Sequence, residues 1–280
     1  MLANFEFPTR QVLWTLTFAS QLILLVVLLG RDRARRYPWF TAGIVLYALR
    51  LMAEILLVGR MAPLVLQTVF ISLGDLGVLV GLLVAVEIAH QAFTGAQRSL
   101  WIANTLGLLV VAGGVLFVWA PWPAWNKIAW GSIMGKLQLM QLFAQKGDTL
   151  VQLLTLGVGL MVVLFGRRYK ATWRSHTQMI AIGLTTVAIA WLGIQQSWQI
   201  IARTAHPQSQ QEYEHLLGLG NGLMNTNKLV YIAALIWWIA WLWRDEPGTE
   251  KPQMAELAPT PEPEPEPKPE PEPKESPVEK

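Results

Sequence analysis

Seven apolar runs, each long enough to cross a bilayer, divide this chain, and the Lys and Arg content of the loops between them alternates. A hydrocarbon core about 30 Å thick takes about 20 mostly apolar residues in helical conformation. Helix is the conformation that lets such a run satisfy its own backbone polar groups in lipid. The runs occupy residues 12–30, 38–59, 64–90, 100–121, 149–166, 178–202 and 228–243. They predict an all-α integral membrane bundle of seven transmembrane helices. Only 15% of residues are charged, against about 25% in soluble domains.

Lys and Arg concentrate on the cytoplasmic side of short loops. Arg31-Asp-Arg-Ala-Arg-Arg36 after the first run is the strongest such signal, and Arg167, Arg168, Lys170 and Arg174 repeat it after the fifth. The loop after the third run adds Arg98. The opposite side holds Arg60, the sparse Lys127, Lys136 and Lys146, and a Gln- and Glu-rich loop near Arg203. This places the N-terminus outside and the C-terminus in the cytoplasm. Interfacial Trp fits the frame, with Trp14, Trp119, Trp122 and Trp125 at the outer face. Trp39, Trp101, Trp173, Trp241 and Trp243 fall at the inner one. The first run lacks a preceding basic stretch and ends in arginines, so it reads as a span rather than a cleavable signal.

Charge divides the chain in two. Residues 244–280 carry five Lys/Arg against eleven Asp/Glu, a net −6. The seventeen basic and eight acidic residues before them give residues 1–243 a net +9. The high pI therefore averages two unlike parts and does not point to nucleic acid. A basic rim suits an anionic inner leaflet. Cysteine is absent, which excludes disulfides and thiolate metal sites.

From Pro259 the tail is a Pro-Glu and Pro-Lys repeat. Proline on alternate residues forbids helix and favours extended polyproline II at about 3.1 Å per residue. This stretch resembles the Pro-Glu/Pro-Lys spacer of the TonB energy-transducing proteins. It reads as a disordered, solvated tail or, alternatively, as an arm that binds a partner. Two other segments stand apart. Residues 126–145 mix Ile128, Ile133, Met134, Leu137 and Phe143 with Lys127, Lys136, Gln138 and Gln141. That pattern fits an amphipathic helix in the outer interface, or equally a forward extension of the fifth span. Gly218-Leu-Gly220-Asn-Gly222 reads as a flexible lead into the seventh span.

Ionisable groups at bilayer depth are costly and mark functional sites when they face the bundle. The second span carries Tyr47, Arg50 and Glu54 on one face. Arg50 lies about 13 Å from the outer end, and Asp75 on the third span about 17 Å. The expected pair is Arg50 with Asp75, with Glu54 sharing the guanidinium. The third span has one face of Thr68, Ser72, Asp75 and His90, and a second of Gly74, Gly77, Gly81 and Ala85. Gly77 and Gly81 have the spacing of close helix packing. Its aliphatic third face, including Leu73, Leu76, Val80 and Leu83, is expected to meet lipid, which makes this span central to the bundle. Glu87, on the lipid-side arc near the inner end, is expected to pair with Arg98 or an arginine of the first inner loop. The sixth span brings Gln195, Gln196, Ser197 and Gln199 to similar depth, and the first adds Thr17 and Gln21. Arg50, Glu54, Asp75, Gln195 and Gln196 thus form a candidate outward-facing ligand pocket, with interhelical bonding as the plainer alternative.

Enzyme signatures fail. Gly131-Ser-Ile-Met-Gly135-Lys136 has one residue too few for a phosphate loop, and Leu137 stands where Ser or Thr belongs. Glu212, His215 and His206 lack the second spaced pair of a metal site. Lys228, read at the outer start of the seventh span, is not placed for a mid-membrane Schiff base. No cofactor is called for. The layout of residues 1–243 resembles the seven-helix N-terminal membrane regions of some bacterial sensor histidine kinases. That resemblance implies a non-enzymatic, receptor-like subunit of a bacterial inner membrane. Its partners would be the lipid bilayer and a protein reached through the basic inner loops or Pro-rich tail. A small-solute or ion transporter or channel, and a structural subunit of a membrane complex, are the alternatives.

Overall fold

The computed structural model describes residues 9–92, 98–119, 131–165, 175–205 and 209–245. The chain divides into two units, Met1–Glu246 and Pro247–Lys280, and the second lies wholly outside the described residues. So do Arg167, Arg168, Lys170, Arg174, Lys127, Trp122, Trp125, Trp173 and His206. The described residues form eight helices and no strand: α1 Thr9–Gly30, α2 Arg33–Arg36, α3 Pro38–Leu57, α4 Pro63–Ala92, α5 Arg98–Trp119, α6 Ile133–Phe165, α7 His176–Thr204 and α8 Gln210–Trp243. Six of these (α1, α3, α4, α6, α7 and α8) are long and apolar enough to cross a membrane, and α5 contributes a shorter apolar stretch, Gly107–Val118.

Local chemistry sets the helix ends. Pro38 and Pro63 open α3 and α4, where a missing N–H costs nothing. Ser175 and Ser209 cap α7 and α8 by accepting from the N–H groups of Gln178 and Glu212, each at 3.3 Å. Past α3, Gly59 adopts a φ of +80°, which a residue with a Cβ rarely tolerates.

Two helices are longer than the hydropathy suggests. The forward extension of the fifth span is what forms: Ile133–Phe165 is one continuous helix, so no separate interfacial helix occupies 133–145. Likewise α8 runs from Gln210 through Gly218, Gly220 and Gly222 without a flexible lead. At Gly220 the helix lies against Trp198 of α7, 3.0 Å from where a Cβ would stand.

Helix association in lipid rests on close packing rather than on hydrophobic transfer. On α4 and α6, Gly74 faces Ala144, Val78 faces Gly147 and Gly81 faces Val151. Residue numbers rise together in these pairs, so the two helices run parallel. Gln21 meets Tyr231 and Arg31 meets Asp245, so α1 and α8 are parallel too. Trp238 lies against Gly183 while Trp198 lies against Gly220, which makes α7 and α8 antiparallel. Gly77, read with Gly81 as a packing pair, is not in this seam: a Cβ there would meet nothing within 4 Å.

The densest packing lies toward the end of the bundle that carries Arg31. Leu24, Leu28, Tyr37, Ile88, Ile180 and Trp238 are nearly fully buried there. Trp238 packs edge-on against Phe40, with centroids 5.1 Å apart, and donates its indole N–H to the Ile180 carbonyl at 3.4 Å. Glu87 belongs to this knot rather than to a lipid-side arc. Only 8% exposed, it accepts from the N–H groups of Trp39 at 3.2 Å and Phe40 at 2.9 Å. A carboxylate at the first turn of α3 satisfies orphan donors and complements the helix dipole. Arg31 pairs with Asp245 at 3.2 Å and stacks over Trp243 at 5.0 Å. The outward surface is aliphatic, with Val26, Val110 and Phe117 each exposing about two-thirds of their area, as lipid contact requires.

Candidate functional site

Toward the other end, near Arg60, lies a partly open cavity of about 720 Å³ walled by α1, α3, α4, α6, α7 and α8. Small-molecule pockets span about 300–1,000 Å³. From α3 come Tyr47, Arg50 and Glu54, whose spacing of three and four aligns them on one face. Gln195, Gln196 and Gln199 enter from α7. Four of the five residues expected at a pocket (Arg50, Glu54, Gln195 and Gln196) therefore line the same cavity.

Asp75 does not join them. It is absent from the cavity wall, and its Oδ1 is buried with no hydrogen-bond partner among the described residues. The helical geometry explains this. Gly74 and Gly81 take the α6 side of α4 and Gly77 opens on the cavity, leaving Asp75 on another face. Leu73 and Val80 line the cavity instead of meeting lipid, while Leu76, Leu79 and Leu83 stay exposed. Instead of Asp75, the carboxylate whose charge Arg50 senses is Asp148 of α6. An apolar window that opens at Thr149 hides Asp148. Only the true start of α6 at Ile133, sixteen residues before that window, sets it mid-helix in the wall.

Lys228 is likewise relocated. It lies near the middle of the 34-residue α8 and lines the cavity with Asn227 and Tyr231. Gln21 donates to the Tyr231 hydroxyl at 3.2 Å, and the Tyr231 and Tyr47 rings stand 5.9 Å apart. Tyr47 in turn lies in the field of both Asp148 and Arg50. Polar contacts thus link α1, α8, α3 and α6 around the cavity.

Its wall is polarised along the bundle axis. The floor, toward Arg31, is made of Phe40, Ile44, Val84, Leu184 and Trp238. Every charged side chain of the wall, namely Arg50, Glu54, Lys146, Asp148 and Lys228, lies toward Arg60. From Phe40 to Arg50 the distance along α3 is about 15 Å. Hydrogen-bonding capacity is left over as well. Trp14 Nε1, Gln21 Oε1, Gln196 Oε1 and Asn227 Oδ1 are buried with no partner among the described residues, and all four residues line the cavity. Buried polar atoms in native proteins are nearly always paired, so these four leave hydrogen-bonding capacity on the cavity wall. No protein family, curated protein or solved structure matches the chain, so the cavity itself is the basis for reading its function.

Proposed function

We propose that this chain is a non-enzymatic, receptor-like subunit of a bacterial inner membrane that binds a small molecule in the polarised cavity. The single observation that carries the reading is the convergence of charged and amide side chains from α3, α6, α7 and α8 on one cavity. Five ionisable groups at bilayer depth are costly to keep, and bundle packing alone calls for none of them. The closed floor favours reception over transport. Below the cavity the helices pack through Leu24, Tyr37, Ile88, Trp238 and Leu242, each at most 1% exposed.

Parity supports seven crossings. The parallel pair α1 and α8, first and last of the long helices, requires an odd number of spans. The parallel pair α4 and α6 requires a return between them, and the 22 residues of α5 reach about 33 Å. The Arg31 end is the cytoplasmic side by the basic-loop rule, so the cavity faces outward. α8 joins the two ends, with Tyr231 in the wall, Trp238 in the floor and Trp243 against Arg31. A state change at the cavity would pass along it to a protein docked on the basic loops or tail.

Native mass spectrometry of the protein released from nanodiscs tests this reading. Wild type is expected to carry a bound small molecule that Gly77→Leu, whose side chain projects into the cavity, does not. Sealed proteoliposomes should show no added solute flux. Identical spectra for the two proteins would defeat the proposal, and flux through wild type would shift it to transport.

A further inference from the structure

We infer that the cavity takes a zwitterionic α-amino acid group, its carboxylate held between Arg50 and Lys228 and its ammonium one helical turn deeper at Asp148. This rests on the proposal that the cavity is a ligand site and goes on to name the ligand's chemistry.

Two aromatic contacts set α3 against α8. Phe40 meets Trp238 with centroids 5.1 Å apart, and two turns outward Tyr47 meets Tyr231 at 5.9 Å. Residue numbers rise on α3 as they fall on α8, so the two helices are antiparallel and hold one register across both contacts. Three residues further outward on each helix, that register sets Arg50 opposite Lys228. Both line the cavity. Among the described residues neither makes a hydrogen bond or touches a carboxylate. Two cations that face each other at bilayer depth repel and are costly to keep. An anion seated between them turns the repulsion into attraction. A carboxylate suits both partners, because a guanidinium grips it with two N–H donors and a lysine approaches it as a point charge.

A bare anion leaves Asp148 unexplained. Gly43 of α3 lies against Val80 and Val84 of α4, and Val78 of α4 lies against Gly147 of α6. Four residues outward from Gly43, Tyr47 is therefore level with Val78, and so with Asp148. That level is about 4.5 Å deeper than Arg50. Arg50 and Asp148 lie in each other's field, yet among the described residues they form no ion pair. Asp148 would repel a lone carboxylate seated above it. An ammonium on the adjacent carbon meets Asp148 instead, so the two charges of an α-amino acid match the two levels of the wall. At the deeper level the Tyr231 hydroxyl accepts from Gln21 at 3.2 Å and keeps its own proton to donate. Unlike the packed floor, these groups are within reach of a ligand. Arg50 and Tyr47 are exposed, and Lys228, Asp148 and Tyr231 are half-buried.

Thermal unfolding of the full chain in phosphatidylcholine nanodiscs is titrated with the common L-α-amino acids, one at a time. The most effective one is then compared with its methyl ester, which lacks the carboxylate, and its deamino acid, which lacks the ammonium. Gly77 lines the cavity, and a Cβ there meets nothing within 4 Å, so Gly77→Leu occupies ligand space without colliding with a neighbouring helix. An amino acid is expected to raise the wild-type melting temperature by several degrees, and Gly77→Leu should abolish the rise. Ester and deamino acid should each need about tenfold more for the same rise, as the loss of one charged hydrogen bond implies. Arg50→Gln/Lys228→Gln should weaken amino acid and deamino acid alike. Asp148→Asn should weaken the amino acid and spare the deamino acid.

An ester as effective as its parent would overturn the carboxylate site. A deamino acid as effective would overturn the ammonium site at Asp148. Both comparisons are made in wild type and need no variant to fold. Either result, with Gly77→Leu still blocking, leaves the cavity standing as a ligand site while the zwitterion falls. Phosphatidylserine presents the same group on a lipid head, so nanodiscs of that lipid separate two sources. If it alone gives a Gly77-dependent rise, the group belongs to a lipid; if a free amino acid is still required, it belongs to a solute. Both results support the assignment. A wild type that neither source stabilises, but that still carries a Gly77-dependent occupant in native mass spectrometry, overturns the amino acid and keeps the site. A Gly77→Leu protein that responds like wild type to every probe brings down both.

Discussion

Gly81 and Gly77 sit about one helical turn apart on α4, and the structure assigns them opposite responses to the same substitution. At Gly81 an added Cβ would stand 2.8 Å from Val151 Cγ1 and 3.3 Å from its Cγ2. Valine is held stiffly in one rotamer on a helix, so α4 and α6 must separate to relieve the overlap. Overpacking of this kind costs about 1–3 kcal/mol. In water Gly→Ala would recover about 0.5–1 kcal/mol of helix propensity. In a bilayer the separated helices remain helical, so most of that gain cancels. Gly81→Ala is therefore expected to destabilise the bundle by about 1–2 kcal/mol, and Gly77→Ala by about zero. Adding Val151→Ala removes the colliding methyls. The double variant should be more stable than the two single effects predict, by a coupling of about 1 kcal/mol. Steric-trap or denaturant unfolding in bicelles measures all four corners of the cycle. Equal effects of Gly81→Ala and Gly77→Ala, or a coupling near zero, would refute the parallel α4–α6 seam.

Other expectations follow from the same contacts. A cycle of Arg50→Gln with Asp148→Asn should show a coupling of about 1 kcal/mol, tempered because Arg50 is exposed to the cavity. Arg50→Gln with Asp75→Asn should show about none; the reverse ordering in unfolding measurements would restore the pair read from sequence. Trp238→Ala should cost about 3–5 kcal/mol through the cavity it leaves, and Trp238→Phe distinctly less. A midpoint unchanged by Trp238→Ala would contradict a packed floor. Glu87→Ala removes two acceptors from the start of α3 and should cost about 1–3 kcal/mol. Glu87→Gln keeps one carbonyl acceptor and should retain part of that. Amide exchange at Trp39 and Phe40 should speed up in Glu87→Ala, and unchanged exchange would count against the cap.

Much of the layout was legible because bilayer thickness forces long apolar runs, and the observed α1, α3, α4 and α7 begin and end within three residues of them. The face shared by Tyr47, Arg50 and Glu54 followed from helical periodicity alone, as did the depth of Gln195 and Gln196. The failures share a cause. Hydropathy stops at the first polar stretch, but a helix does not, so α6 and α8 were begun too late. That error hid Lys146 and Asp148 and put Lys228 at a helix end, which removed three charges from the cavity. Asp75 and Glu87 failed for another reason. Their partners depend on helix rotation and on which backbone N–H groups lie opposite, and one sequence carries neither. The unpartnered atoms of Trp14, Gln21, Gln196 and Asn227 had no sequence signal, because a surplus of hydrogen-bonding capacity exists only once neighbours are placed.

The central claim is that a polar cavity opens outward from the middle of the bundle. The chain has no cysteine, so each introduced thiol is the only one present. Gly77→Cys and Gln195→Cys place it in the cavity wall, Val110→Cys on the lipid face and Asp32→Cys on the basic loop. A membrane-impermeant maleimide is applied to intact cells. Labelling of Gly77→Cys and Gln195→Cys from outside is predicted, with Val110→Cys inert and Asp32→Cys reactive only after permeabilisation. Gly77→Cys as inert as Val110→Cys, or reached only from the Asp32 side, would contradict the account.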